Sequence, residues 1–153
     1  MALVLSALAA GVFATTFMTL SMVLMGPSGF RRFEFVRALG AWFSNDYRRA
    51  MNVGLTLHFV AGTIFAFLYA AIFRLFGLAS GRDYILGGGA LGALHGFVFS
   101  FWVIVLIAEH HPFQRFRRIG FTTALVYGFA HVIFGVAFGL GFWWLIQRPI
   151  GIL

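Results

Sequence analysis

The chain has no cysteine and no lysine, and only four acidic residues among its 153. Without cysteine there is no disulfide framework, no thiolate metal site and no cysteine nucleophile. The carboxylates are Glu34, Asp46, Asp83 and Glu109. They are too few and too scattered for paired-carboxylate catalysis, or for a cage of oxygen ligands around a hard cation. Charged residues make up 10% of the chain, against about 25% in an ordinary soluble domain. A polar surface able to dissolve a globule of this size is missing.

What is abundant is apolar: 61% of the residues, with a mean hydropathy of +0.95. These residues gather into four nearly uncharged runs, at about 2–25, 52–74, 84–108 and 119–146. Each reaches the roughly 20 residues that a helix needs to cross a bilayer core. The pattern predicts a single all-α domain, a four-helix transmembrane bundle.

The arginines sort by connection. Arg31, Arg32, Arg37, Arg48 and Arg49 lie between the first two spans, and Arg115, Arg117 and Arg118 between the last two. Only Arg74, Arg82 and Arg148 fall on the other side. The positive-inside rule then puts the first and third connections in the cytoplasm and both chain ends outside, N-out/C-out. Those eight cytoplasmic arginines are expected to anchor on anionic lipid headgroups. The net charge of +7 therefore calls for no nucleic-acid partner. A cleaved leader over 1–25 would need basic residues ahead of its apolar stretch, and the first basic residue is Arg31, behind it.

The first cytoplasmic connection opens with Gly26-Pro27-Ser28-Gly29, a helix stop. Over about 30–44, Phe35, Val36, Leu39, Trp42 and Phe43 share one helical arc, opposite Arg31, Glu34, Arg37 and Ala38. This reads as a short amphipathic helix in the membrane interface, its apolar arc among the acyl chains. Asn45 or Asp46 is placed to cap the second span.

Two segments repeat. His58-x3-Gly62-x2-Phe65 in the second span matches His131-x3-Gly135-x2-Phe138 in the fourth. Each follows a connection that begins with proline, aromatic and arginine residues, at Pro27 and at Pro112. Two helical hairpins entering the membrane from the same side would make a parallel repeat. Ridges of mostly small residues recur at steps of about four: Ala7, Gly11 and Thr15; Gly54, His58, Gly62, Ala66 and Ala70; Gly88, Gly92, Gly96 and Ser100; Gly128, His131, Gly135 and Gly139, so His58 and His131 are expected to point into the bundle. In lipid, such ridges let helix backbones approach closely. They exceed what one small bundle needs, which points to docking against further helices, of this chain or of a partner subunit.

Three histidines lie inside spans, where an ionisable residue is a functional candidate. His95 and His131 fall near mid-membrane, and His58 about 7.5 Å towards the cytoplasm. His95 and His131 could hold a b-type haem between helices. All three, His58 included, could collect zinc or copper. Against these stands a packing role, each ring bonded to a hydroxyl or carbonyl across a helix interface. A second cluster, Glu109-His110-His111 before Pro112, offers a carboxylate and two imidazoles to a transition metal. Neighbouring residues on a helix do not face each other, and His also suits a helix C-terminus, so a structural end is the alternative. No span carries Asp or Glu, which argues against a charged transport route. The hydroxyls of Thr15, Thr16, Thr19 and Ser21 are expected to bond their own helix.

The ordered set of Met25-Gly26-Pro27, Leu57-His58-Phe59-x2-Gly62 with Tyr69, the glycine-rich third span with His95, His111-Pro112, and His131-x3-Gly135-x3-Gly139 resembles a family of small bacterial four-helix integral membrane proteins. The likeness runs over roughly residues 8 to 145. It implies the same bundle and a multi-pass place in the bacterial cytoplasmic membrane. That family is a domain of unknown function, so the resemblance implies no activity and no catalytic residue. The functional expectation is a non-enzymatic accessory subunit packing against other transmembrane helices. The alternatives are a haem- or metal-binding redox bundle, and a proton or small-solute channel.

Overall fold

In a computed structural model, which describes residues 1–25, 34–44, 46–117 and 121–148, the chain folds into five α-helices. They are α1 (Ala2–Met25), α2 (Glu34–Ala41), α3 (Tyr47–Leu75), α4 (Gly81–His110) and α5 (Phe121–Gln147), with a 3-10 turn at Gln114–Phe116. All but α2 are long and apolar enough to cross a membrane. The expected all-helical bundle is therefore present, and no strand occurs among the described residues.

Helix ends extend past the apolar runs because the polar residues at their borders are caps. Asp46 accepts the backbone N–H of Arg48 at 2.7 Å and of Arg49 at 3.3 Å, so α3 starts at Tyr47, ahead of the expected 52. It closes on Gly77, whose φ of 62° suits glycine. Gly77 N–H bonds Arg74 C=O and Leu78 N–H bonds Phe73 C=O, the paired bonds of a Schellman ending. A reciprocal Ser80/Asp83 capping box starts α4, and His111 followed by Pro112 ends it.

Around the bundle the order is α3, α1, α5, α4. The closest seam joins α4 to α5. A Cβ at Gly88 would collide with the Gly135 carbonyl, one at Gly92 with the His131 carbonyl, and one at Gly139 with the Tyr84 carbonyl. On the other side Gly11 meets Ala66, and Gly62 meets Thr15. The small-residue ridges are thus consumed inside the bundle. Gly62 and Gly135, the shared glycines of the repeated segments, both face the span that precedes them.

The connection between α1 and α3 departs from expectation. Among the described residues the helix covers Glu34–Ala41, stopping short of the expected 44, and it packs on α3. Gly40 sits against the Ala50 carbonyl and Gly54 against the Val36 carbonyl, a fit that only hydrogen side chains permit. Val36, Ala38 and Ala41 are almost fully buried. Glu34 and Ala38, assigned to the wet arc, face protein. The Pro27–Phe33 flank of the repeat, and Asn45, lie outside the described residues.

Candidate functional site: a three-histidine pocket

The apolar distal half of the bundle is filled by rings. Phe134, Phe138 and Phe142 stack along α5 and meet Tyr69 and Phe73 of α3, with centroids 5.3–6.4 Å apart. Between this stack and the arginine-rich end the filling stops, leaving a cavity of about 290 Å³. Its lining comes from all five helices and includes His58, His95 and His131. The three intramembrane histidines do converge.

Each ring is held through one nitrogen. On α3, His58 Nε2 lies 3.1 Å from Thr19 Oγ1. The Thr19 hydroxyl already donates to the Thr15 carbonyl at 2.6 Å, so it accepts from His58. On α5, His131 Nδ1 lies 2.6 Å from the carbonyl of Tyr127, one turn earlier. A carbonyl only accepts, so Nδ1 carries the proton. Ser100 Oγ stands 3.5 Å from the same nitrogen. On α4, His95 Nδ1 lies 3.3 Å from the Tyr69 hydroxyl. The His95 ring is stacked on Phe65 at 3.7 Å and meets His131 edge to face at 4.6 Å. Phe65 and Tyr69 stand one turn apart on α3 and so clamp His95 from the same side.

These contacts bear on the expected haem. A haem between His95 and His131 needs a porphyrin plane separating two axial rings. Here the rings touch edge to face at 4.6 Å, with no slot between them, so the arrangement does not fit haem. No group of three or more His, Asp or Glu able to hold a metal ion occurs among the described residues.

The Glu109-His110-His111 cluster is split by the end of α4. Glu109 and His110 are exposed, 4.0 Å apart. His111 is fully buried and turned the other way, its Nδ1 accepting from Phe113 N–H and its Nε2 donating to the Ala38 carbonyl, both at 3.0 Å. It is a clasp holding α2 to the end of α4, and the three side chains expected as metal ligands are not brought together.

The arginines also divide. Arg48, Arg49, Arg115 and Arg117 are exposed at one end of the bundle. Arg37 is not one of them. It pairs with buried Glu34 at 3.4 Å and lies over the Tyr47 ring at 4.0 Å, with Arg115 on the same ring at 4.1 Å. The Tyr47 hydroxyl donates to Glu34 at 2.7 Å and accepts from Arg115 at 3.0 Å. Arg31, Arg32 and Arg118 lie outside the described residues. Thr15, Thr16, Thr19 and Ser21 each bond a carbonyl of their own helix, as expected.

Sequence reasoning missed Tyr69 as the partner of His95, although His58, Gly62, Phe65 and Tyr69 follow one another at helical spacing along one face. It missed the Glu34–Tyr47–Arg115 network altogether, because nothing local links those three positions. Fold and site together define a bundle of membrane-spanning length with a histidine-lined internal pocket. Comparison with protein-family models, curated proteins and solved structures finds no match, so the reading rests on the chain's own geometry.

Proposed function

We propose that this chain is a non-enzymatic protein of the bacterial cytoplasmic membrane, oriented N-out/C-out, that binds an amphipathic molecule in the three-histidine pocket. The apolar body enters between α3 and α4, and the polar head reaches the imidazoles. One observation carries this: three rings converge on one cavity, each tied to protein by one nitrogen only. The route in is lateral. Of the long neighbouring helices, α3 and α4 touch most sparsely, and the exposed residues at the cavity mouth are apolar, namely Phe43, Ala61 and Phe99. Few polar groups on a mostly apolar wall is the usual make-up of a ligand site.

An accessory role resting on spare glycine ridges loses its argument, since α4 and α5 spend theirs on each other. A channel is disfavoured by the aromatic stack above the cavity and by Phe35 and Leu39 of α2 below it. The test is extraction of amphiphiles from protein purified in mild detergent. Wild type should retain one species near one-to-one, and Ala61→Phe, which plugs the mouth from an exposed position, should lose it. Equal lipid content in both, matching the bulk membrane, would overturn the proposal. So would a one-to-one Soret-absorbing chromophore that disappears on His95→Ala and His131→Ala.

A further inference from the structure

The pocket also specifies the head it takes, a conclusion that rests on the binding role just proposed. His58 donates through Nε2, leaving the Nδ1 lone pair free; His131 donates through Nδ1, leaving the Nε2 lone pair free. For His95 the choice follows from Tyr69, whose buried hydroxyl has no other acceptor among the described residues. Buried hydroxyls are nearly always paired, so Tyr69 donates to Nδ1 and His95 keeps its proton on Nε2. Among the described residues none of the three remaining ring nitrogens has a hydrogen-bond partner, and all three residues line the cavity. The cavity therefore presents two acceptors, from His58 and His131, and one donor, from His95.

No carboxylate pairs with these rings: every ion pair among the described residues involves Glu34, Asp46 or Glu109, at helix ends. A cationic head would lie buried without a counter-charge, which is costly. An anionic head could not donate, and would face two lone pairs. We infer that the pocket selects an uncharged head with two hydroxyls, as in a glycerol carrying a single alkyl chain. Both hydroxyls donate, to His58 and His131, and one of their oxygens accepts from His95. At about 30 Å³ per water-sized group, the cavity of about 290 Å³ holds such a head and the first few methylenes. The rest of the chain leaves past Ala61 and Phe99 into the bilayer.

The test uses the full chain in lipid nanodiscs and a diazirine-tagged hexadecylglycerol monoether, with the labelled peptide mapped. Saturable labelling is expected on the pocket segments of α3 and α4. Competitors of equal chain length are the untagged hexadecylglycerol, hexadecanol, hexadecyl methyl ether, palmitate and hexadecylammonium. Each lost hydroxyl donor should weaken competition several-fold, so that the methyl ether competes about tenfold or more below the diol. Palmitate and the ammonium should be weaker than hexadecanol. If labelling is saturable in the pocket but all heads compete alike, or a charged head competes best, the hydroxyl assignment is wrong while the binding role stands. If no probe labels the pocket saturably, the binding role itself falls.

Discussion

The seam between α4 and α5 gives the sharpest prediction, because two glycines on it should respond differently to alanine. At Gly135 a Cβ would land on the Gly88 carbonyl and crowd the Gly92 Cα. Backbone atoms cannot rotate away, so the helices must part, and overpacking of this kind costs about 1–3 kcal/mol. At Gly128, about two turns earlier on α5, the nearest atom a Cβ would meet is the Gly96 carbonyl at 3.8 Å, an ordinary contact. There the substitution should gain up to about 1 kcal/mol from helix propensity. The same propensity gain is available at Gly135, so the two variants should differ by the overpacking cost alone, about 1–3 kcal/mol, with Gly135→Ala the less stable. SDS titration of protein in mild detergent measures this, with Trp143 as reporter because its ring packs on Gly81 across the same seam. Gly88→Ala combined with Gly135→Ala should cost less than the two alone, since both pry open one contact. A Gly135→Ala midpoint equal to or above that of Gly128→Ala would refute the seam.

Other consequences can be checked on the same preparation. Tyr47→Phe removes the hydroxyl that donates to buried Glu34; the loss of a charged hydrogen bond should destabilise by about 1.5–3 kcal/mol in the same titration. His111→Phe strands the Ala38 carbonyl and the Phe113 N–H; amide exchange over Glu34–Ala41 should accelerate while that of α4 and α5 stays unchanged. Because the chain contains no cysteine, single substitutions report orientation cleanly. In intact cells Ser80→Cys should react with an impermeant maleimide and Arg115→Cys should not, and the opposite pattern would invert the topology.

The spans were legible because hydrocarbon length and absence of charge are local properties of a sequence. So was the inward placement of the histidines, which share helical faces with the small residues. Helix ends were not: reading boundaries off apolar runs excludes Asp46, Ser80 and Asp83, the residues that cap. The fate of α2 was hidden for a different reason. A wheel sorts residues by hydropathy, but Glu34 and Arg37 face inward because Tyr47 meets them from a separate helix. Glycine ridges revealed that helices approach closely without telling which ones; the glycines of α4 and α5 face each other. His111 looked like a ligand beside His110, and only the fold shows it reaching across to Ala38.

The position of the pocket follows from where the small residues are. In lipid there is little hydrophobic drive between helices, so backbone contact at glycine and alanine decides which pairs close. α4 closes on α5 through Gly88, Gly92, Gly135 and Gly139, and α3 closes on α1 and α2 through Gly54 and Gly62. No glycine joins the backbones of α3 and α4; they meet through side chains, from Phe73 against Tyr84 at 5.2 Å near their shared turn down to Tyr69 and Phe65 on His95 and Phe65 against Phe99 at 5.2 Å. Below that level both helices are already committed to other partners, and the space between them stays open. His58 sits on α3 and His131 on α5, diagonal helices of the bundle, so an alanine-for-glycine change that widens the α4–α5 seam should also shift His131 and weaken labelling by the diol probe. If Gly135→Ala lowers stability yet leaves that labelling at wild-type strength, the seam and the pocket are independent, and the packing of α4 on α5 does not set the geometry of the site.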